Sequence, residues 1–220
     1  MAEFVGRPLL LGHRGARAVK SIPENTIASF DRCLADGCDG FEFDVRLTAD
    51  GAAVLCHNPE FKGVEIAGAT ARELPELARL EEVLTRYEER AFLDIELKVG
   101  GLEKITAELL RKHQPRRGYV VSSFLPEVLR VLRWEDSTIP LGLICETRSQ
   151  LLHWNQLEIE YVIPHQKVLN ATLVRRFQDS GKKILVWTVN AQTEMRRLAD
   201  SGVDGIISDN AALLCRTLAG

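Results

Sequence analysis

No stretch of this chain stays apolar for long enough to cross a bilayer, so no membrane segment is expected. The opening residues, Met1 to Pro8, lack a basic patch followed by a long apolar run, so a secretory signal is not expected either. Cysteine is sparse and unpatterned. There are five, at positions 33, 38, 56, 145 and 215, an odd number with no Cys-x-x-Cys spacing. That argues against a disulfide scaffold and points to reduced thiols in a cytoplasm. An excess of one charge is also missing. Lys and Arg total 28 against 31 Asp and Glu, a net charge of −3, so neither nucleic acid nor an anionic membrane surface is an expected partner. There is no low-complexity tract, no internal repeat and no Pro/Gly/Ser linker to divide the chain.

What is present is apolar and patterned. The 220 residues are 45% hydrophobic, enough to bury a sizeable core. A single domain over 1–220 is expected, because α/β barrels of roughly 200–250 residues commonly form one unit. Short runs rich in β-branched residues predict strands at Leu9–Gly12, Phe41–Val45, Phe92–Leu97, Tyr119–Ser122, Leu141–Cys145, Tyr161–Ile163, Ile184–Val189 and Gly205–Ser208. Amphipathic patterns between them predict helices at Glu24–Ala35, Glu103–Lys112, Leu125–Trp134, Asn170–Asp179 and Ala191–Ala199. Eight apolar runs alternating with helices fit an α/β fold closed as a (β/α)8 TIM-type barrel.

One connection departs from that rhythm. After Val45 comes Leu47-Thr48-Ala49-Asp50-Gly51 and then the apolar run Ala52–Cys56. Asp-Gly between two apolar runs is a hairpin signal, so an extra strand should fold back along the second and bring His57 towards Glu42 and Asp44. A ninth barrel strand without functional meaning is the alternative. Residues 58–90 are the least regular, with helices expected around Arg72–Arg79 and Leu80–Arg90. They are too few for a second domain and read as a short cap beside the barrel mouth.

Three clusters could carry chemistry. Gly12-His13-Arg14-Gly15 follows a strand directly and joins a proton carrier near neutral pH to a planar phosphate-binding fork. Alone, a His-Arg pair at a loop is more often a solvated turn. In Phe41-Glu42-Phe43-Asp44-Val45 the two carboxylates share one face, opposite the aromatics. If the aromatics pack on helices, both acids enter the barrel, where they would need a cation such as Mg²⁺, Mn²⁺ or Ca²⁺. An acidic surface strand would show the same alternation. Glu96 and Lys98 also share a face at a strand end, as a third carboxylate with a phosphate partner or as a plain salt bridge.

Together these stretches resemble the glycerophosphodiester phosphodiesterase family. So do Pro23-Glu24-Asn25-Thr26, Ser123-Phe124, Trp187-Thr188-Val189-Asn190 and Gly202-Val203-Asp204-Gly205-Ile206-Ile207, in order along nearly the whole chain. The resemblance implies a phospholipase-C-like phosphodiesterase barrel. It implies His13 and His57 as the catalytic pair and Glu42, Asp44 and Glu96 as the carboxylates holding a divalent cation. Arg14 and Lys98 would bind the substrate phosphate. Glu24 would support the site from behind, and Trp187 would lie near the pocket, although a core tryptophan is an equal reading. The implied reaction is metal-dependent hydrolysis of a small-molecule glycerophosphodiester to glycerol 3-phosphate and an alcohol, within lipid and glycerol metabolism.

Two departures from the family pattern stand out. Asn58 occupies a position where the family usually has Asp, which removes one negative charge. The segment between His57 and Glu96 is shorter than the family's usual insertion and lacks its Arg-x-Thr-x-Gly stretch. Two other readings fit parts of the same residues: a barrel isomerase or aldolase using a metal-bound enolate, and a degenerate barrel that binds without catalysing. The first leaves Arg14 and His57 without work. Neither the preferred alcohol nor the oligomeric state is readable.

Overall fold

The computed structural model describes residues 7–218. The expectation made for the opening segment falls mostly on residues 1–6, outside the described ones. In chain order the elements are β1 (Leu9–His13), α1 (Ile27–Ala35), β2 (Gly40–Leu47), β3 (Ala53–Leu55), β4 (Glu60–Phe61), β5 (Val64–Glu65), α2 (Leu80–Tyr87), β6 (Phe92–Leu97), α3 (Glu103–Lys112), β7 (Tyr119–Ser123) and α4 (Pro126–Glu135). They continue with β8 (Leu141–Cys145), α5 (Arg148–Leu151), β9 (Tyr161–Pro164), α6 (Ala171–Asp179), β10 (Lys183–Val186), α7 (Gln192–Asp200), β11 (Gly205–Ser208) and α8 (Ala211–Leu218).

Eight strands pair in parallel in the order β1-β2-β6-β7-β8-β9-β10-β11, and β11 returns to β1, closing the ring. The barrel is therefore the expected one, with β3 lying antiparallel on β2 outside it. The return turn spans residues 48–52. The Thr48 hydroxyl donates to Asp50 and accepts from the Ala52 amide, while Gly51 takes φ 78°.

Period-two alternation decides what each strand buries. Phe41, Phe43 and Val45 face the helices, where Phe30 stacks on Phe41 at 4.1 Å between ring centroids and Tyr87 meets Phe41 edge-on. The opposite faces fill the barrel with Leu9, Leu11, Phe92, Val120, Ile144, Tyr161, Ile163, Leu185 and Ile207. Towards the C-terminal ends the inward positions turn polar: His13, Glu42, Asp44, Asp94, Glu96 and Ser122, all buried. The apolar lower barrel is a floor, and the chemistry sits above it.

Several boundaries differ from expectation, each for a local reason. α1 starts at Ile27 rather than Glu24, because Asn25 has φ 57° and Thr26 is the N-cap, accepting from the Ser29 amide. Arg72–Arg79 forms turns rather than a helix. Ile66, Ala69 and Leu74 pack there on Val54 of β3, and Arg79 bridges to Val54 in extended form. β10 stops at Val186, beyond which Trp187 makes an isolated bridge to His165. α5 and α8 were not anticipated. Leu80–Tyr87 is an ordinary barrel helix, its buried residues in the main core. No helix among the described residues is long and apolar enough to cross a membrane.

Candidate active site

Strand register builds the acidic cluster. Glu42 lies opposite Asp94 and Asp44 opposite Glu96 on neighbouring β2 and β6, while His13 of β1 lies opposite Glu42. Glu42, Asp44 and Glu96 each offer an oxygen within 4.8 Å of the others, the spacing a single divalent cation could bridge. All three are buried, Asp44 to 1% exposure, so the surface-strand alternative for β2 does not hold.

Burial raises the Glu42 carboxyl well above the usual range, helped by the charges of Asp44, Glu96 and Asp94. Burial and Asp44 likewise raise Glu96, against the pull of Lys98. Burial would raise Asp44 too, but Lys98, Arg14 and the Asn25 amide outweigh it and hold Asp44 below its ordinary value. Lys98 Nζ stands 3.1 Å from Asp44 Oδ1 and 2.6 Å from Glu96 Oε1. Glu42 Oε1 is buried with no hydrogen-bond partner among the described residues. An anionic oxygen in that position is costly unless it is protonated or bound to a cation, so this donor set fits a hard divalent ion. Asp94 lies beneath, accepting from Ser122 at 2.6 Å, and burial pushes it up to about 7.

His13 is the last residue of β1, and Arg14 opens the turn that follows. Arg14 has φ 51°, a left-handed conformation that costs a non-glycine residue about 1–3 kcal/mol. Its backbone is clamped in place. The amide donates to Glu42 Oε2 at 2.9 Å, and the carbonyl accepts from the Asn25 amide and the Ser29 hydroxyl. Gly15 follows with φ 81° and must be glycine, since a Cβ would stand 2.5 Å from Ser29 Oγ. The Arg14 guanidinium reaches Glu24 at 2.8 Å and comes within 3.2 Å of Asp44.

His13 Nε2 lies 3.8 Å from Glu42 Oε2, and its Nδ1 lies 2.7 Å from Asp209 Oδ1. His57 arrives on the return strand: the Cys56 amide donates to the Asp44 carbonyl, and Arg46 donates twice to the His57 carbonyl, at 3.0 and 2.7 Å. Its ring contacts Asn58 Oδ1 at 2.8 Å, so Asn58 stands behind the histidine. Burial lowers the His57 pKa, against the Asn58 contact and the Asp44 charge.

The structure thus brings His13, Arg14, Glu42, Asp44, His57, Glu96 and Lys98 together, with Glu24 behind Arg14. Trp187 is half-buried on the far side of the mouth, edge-on to Phe124 and to His165. Lys98 Nζ lies 5.7 Å from the Phe124 centroid, so that aromatic wall abuts the charged half. Sequence reasoning gave no role to Asp209, Arg17, Arg46, Asn25 or Asp94. The position of Asp209, one residue past the last barrel strand, was the available signal. A cleft of about 1450 Å³ opens at the opposite end among Leu9, Phe92, Tyr119 and Tyr161, away from all these groups.

Comparison with known proteins gives a consistent result. The model of the glycerophosphoryl diester phosphodiesterase family matches residues 13–84 and 81–213. A glycerophosphodiester phosphodiesterase of Caldanaerobacter subterraneus is 29% identical over 237 residues, covering 94% of this chain and 96% of that one. The Bacillus subtilis protein YhdW is 30% identical over 229 residues, covering 91% and 93%. Among solved structures, a glycerophosphodiester phosphodiesterase of Thermotoga maritima superposes with a TM-score of 0.83 at 25% identity, covering 96% and 98%.

Proposed function

Because the chain belongs to the glycerophosphoryl diester phosphodiesterase family and is a phosphodiesterase, we propose that it hydrolyses glycerophosphodiesters to glycerol 3-phosphate and an alcohol by a metal-dependent, two-histidine route. The observation that carries this reading is the convergence of Glu42, Asp44 and Glu96 beside His13, with Glu42 Oε1 buried and without a hydrogen-bond partner among the described residues. Those three residues would hold Mg²⁺ or Ca²⁺, with Mn²⁺ a further fit to the same oxygens. The cation, when bound, supplies positive charge against the negative charge that develops on the phosphate.

The chain's own groups do the rest. Arg14 and Lys98 hold phosphate oxygens by charge-assisted hydrogen bonds, trading part of their present contacts with Glu24, Asp44 and Glu96 for the substrate. One histidine takes a proton from the attacking hydroxyl, either water or the substrate's own glycerol hydroxyl, and the other gives one to the leaving alkoxide. Glu24 supports Arg14, Asn58 supports His57, and Trp187 walls the organic side. The isomerase reading gives Arg14 and His57 nothing to do.

The whole chain reads as one barrel domain, with the turns and short strands after Asn58 as its cap. Its five unbridged cysteines suit a reducing cytoplasm, and its substrate places it in lipid and glycerol metabolism. Release of glycerol 3-phosphate from glycerophosphocholine, with Mg²⁺ or Ca²⁺ against an EDTA control, tests the proposal. Cation-dependent release is expected. Equal release in EDTA would refute the metal, and none under any condition would refute the substrate.

A further inference from the structure

Asp209, on the turn after β11, touches none of the three clustered carboxylates; it reaches the site through His13. Its carboxylate takes three contacts. Oδ1 takes His13 Nδ1 at 2.7 Å and the Arg17 guanidinium at 2.9 Å, and Oδ2 takes the Asn190 amide at 2.7 Å. Asn190 is itself held, because its Oδ1 accepts from the Asp209 amide and the Ser208 hydroxyl, both at 3.0 Å. That fixes which end of the Asn190 side chain faces Asp209. Arg17 is anchored in turn by Glu24 at 2.9 Å, the residue that also grips Arg14.

An ionised carboxylate only accepts hydrogen bonds, so the shared hydrogen must lie on His13 Nδ1. The other nitrogen, Nε2, is then the working one, and it faces Glu42 and the cluster. His57 has no such constraint, because its partner is the exposed Asn58, whose amide can turn to offer either oxygen or nitrogen.

Resting on the reading of His13 as a proton carrier, we infer that Asp209 is a positioning residue for the reaction, fixing the ring orientation and Nδ1–H tautomer of His13, with Arg17 and Asn190 holding it in place. The acidity of Asp209 agrees: burial would raise it, but His13, Arg17 and Asn190 carry it far below the carboxylate range. The arrangement follows the general logic of an acid that orients a catalytic histidine without itself exchanging a proton.

The test uses the full chain loaded with Mg²⁺. Asp209→Ala is expected to lower kcat for glycerophosphocholine about 10- to 100-fold, as loss of a carboxylate behind a working histidine does, with little change in KM or in the Mg²⁺ requirement. Adding it to His13→Ala is expected to cost nothing further, because the role runs through that ring. Nitrogen-15 NMR of the histidines, at a pH where the ring is neutral, should show a hydrogen on His13 Nδ1 in the parent protein. In the variant that preference should be lost. Asp209→Asn keeps the side-chain volume and serves the same measurements if the alanine variant does not fold. Undiminished kcat in a folded Asp209 variant, or a multiplied loss in the double variant, would overturn the assignment while leaving His13 its role. Full turnover by His13→Ala would overturn the underlying reading and this inference with it.

Discussion

Within hydrogen-bonding distance of their rings, the two histidines have unlike partners, a half-buried carboxylate for His13 and an exposed amide for His57. Each is expected to carry a proton, so His13→Ala and His57→Ala should each lower kcat by at least about 10²-fold. The two together should cost less than the product, because they act as a unit. Near-normal turnover by either single variant at saturating cation would remove that histidine from the mechanism. Asn58 makes its contact with His57, so a carboxylate there would act first on that ring. Asn58→Asp should favour the imidazolium and move the His57 limb of the pH–rate profile upward by roughly one unit, since opposite charge stabilises the charged form. A limb that stays put while the Mg²⁺ requirement falls would instead place residue 58 in the field of the cation.

Elements were legible wherever a pattern ran long enough to show its period. The β-branched runs located all eight barrel strands, and Asp50-Gly51 located the return strand that delivers His57. Same-face spacing placed Glu42 with Asp44, and Glu96 with Lys98, before any partner was known. Short elements carry no period, which is why the two-residue strands β4 and β5 and the single-turn α5 escaped notice. Asp209 escaped for another reason. Its partner is 196 residues away, and only closure of β11 on β1 brings the two together. Gly40, at the start of β2, shows how tight the neighbouring strand is. A Cβ there would stand 1.9 Å from the Phe92 carbonyl oxygen, backbone that cannot step aside. Gly40→Ala should cost at least about 1–3 kcal/mol in denaturant unfolding, the usual penalty of forced overpacking. An unchanged midpoint would mean that the β2–β6 contact is looser than described.

For the molecule as a whole, the acidic cluster sets stability against function. Glu42 and Glu96 have raised pKa values, so the folded chain keeps protons that the unfolded chain releases. Stability should therefore fall as pH rises from about 4.3, the unfolded glutamate value, through about 7 for Glu96, with Glu42 acting in the same direction. Asp44 and Asp209 are depressed, so their contribution is lost only below about pH 4 and does not offset this window. In EDTA, the melting temperature should be lower at about pH 8 than at about pH 5.5, by about 2–4 °C per kcal/mol in a domain of this size. Mg²⁺ should restore more at the higher pH, because a cation and a proton compete for the same oxygens. Equal melting temperatures at both pH values would mean the cluster is not strained in the fold.

The cluster's purpose can be read directly from where an ion settles. Mn²⁺ diffracts anomalously and prefers the same oxygen ligands as Mg²⁺, so crystals grown with it should show one strong anomalous peak at the barrel mouth. The account expects that peak within about 2.6 Å of one oxygen from each of Glu42, Asp44 and Glu96, with the Lys98 ammonium displaced from at least one of them. A mouth without a peak, or a peak bound elsewhere while those carboxylates keep only Lys98, would contradict it.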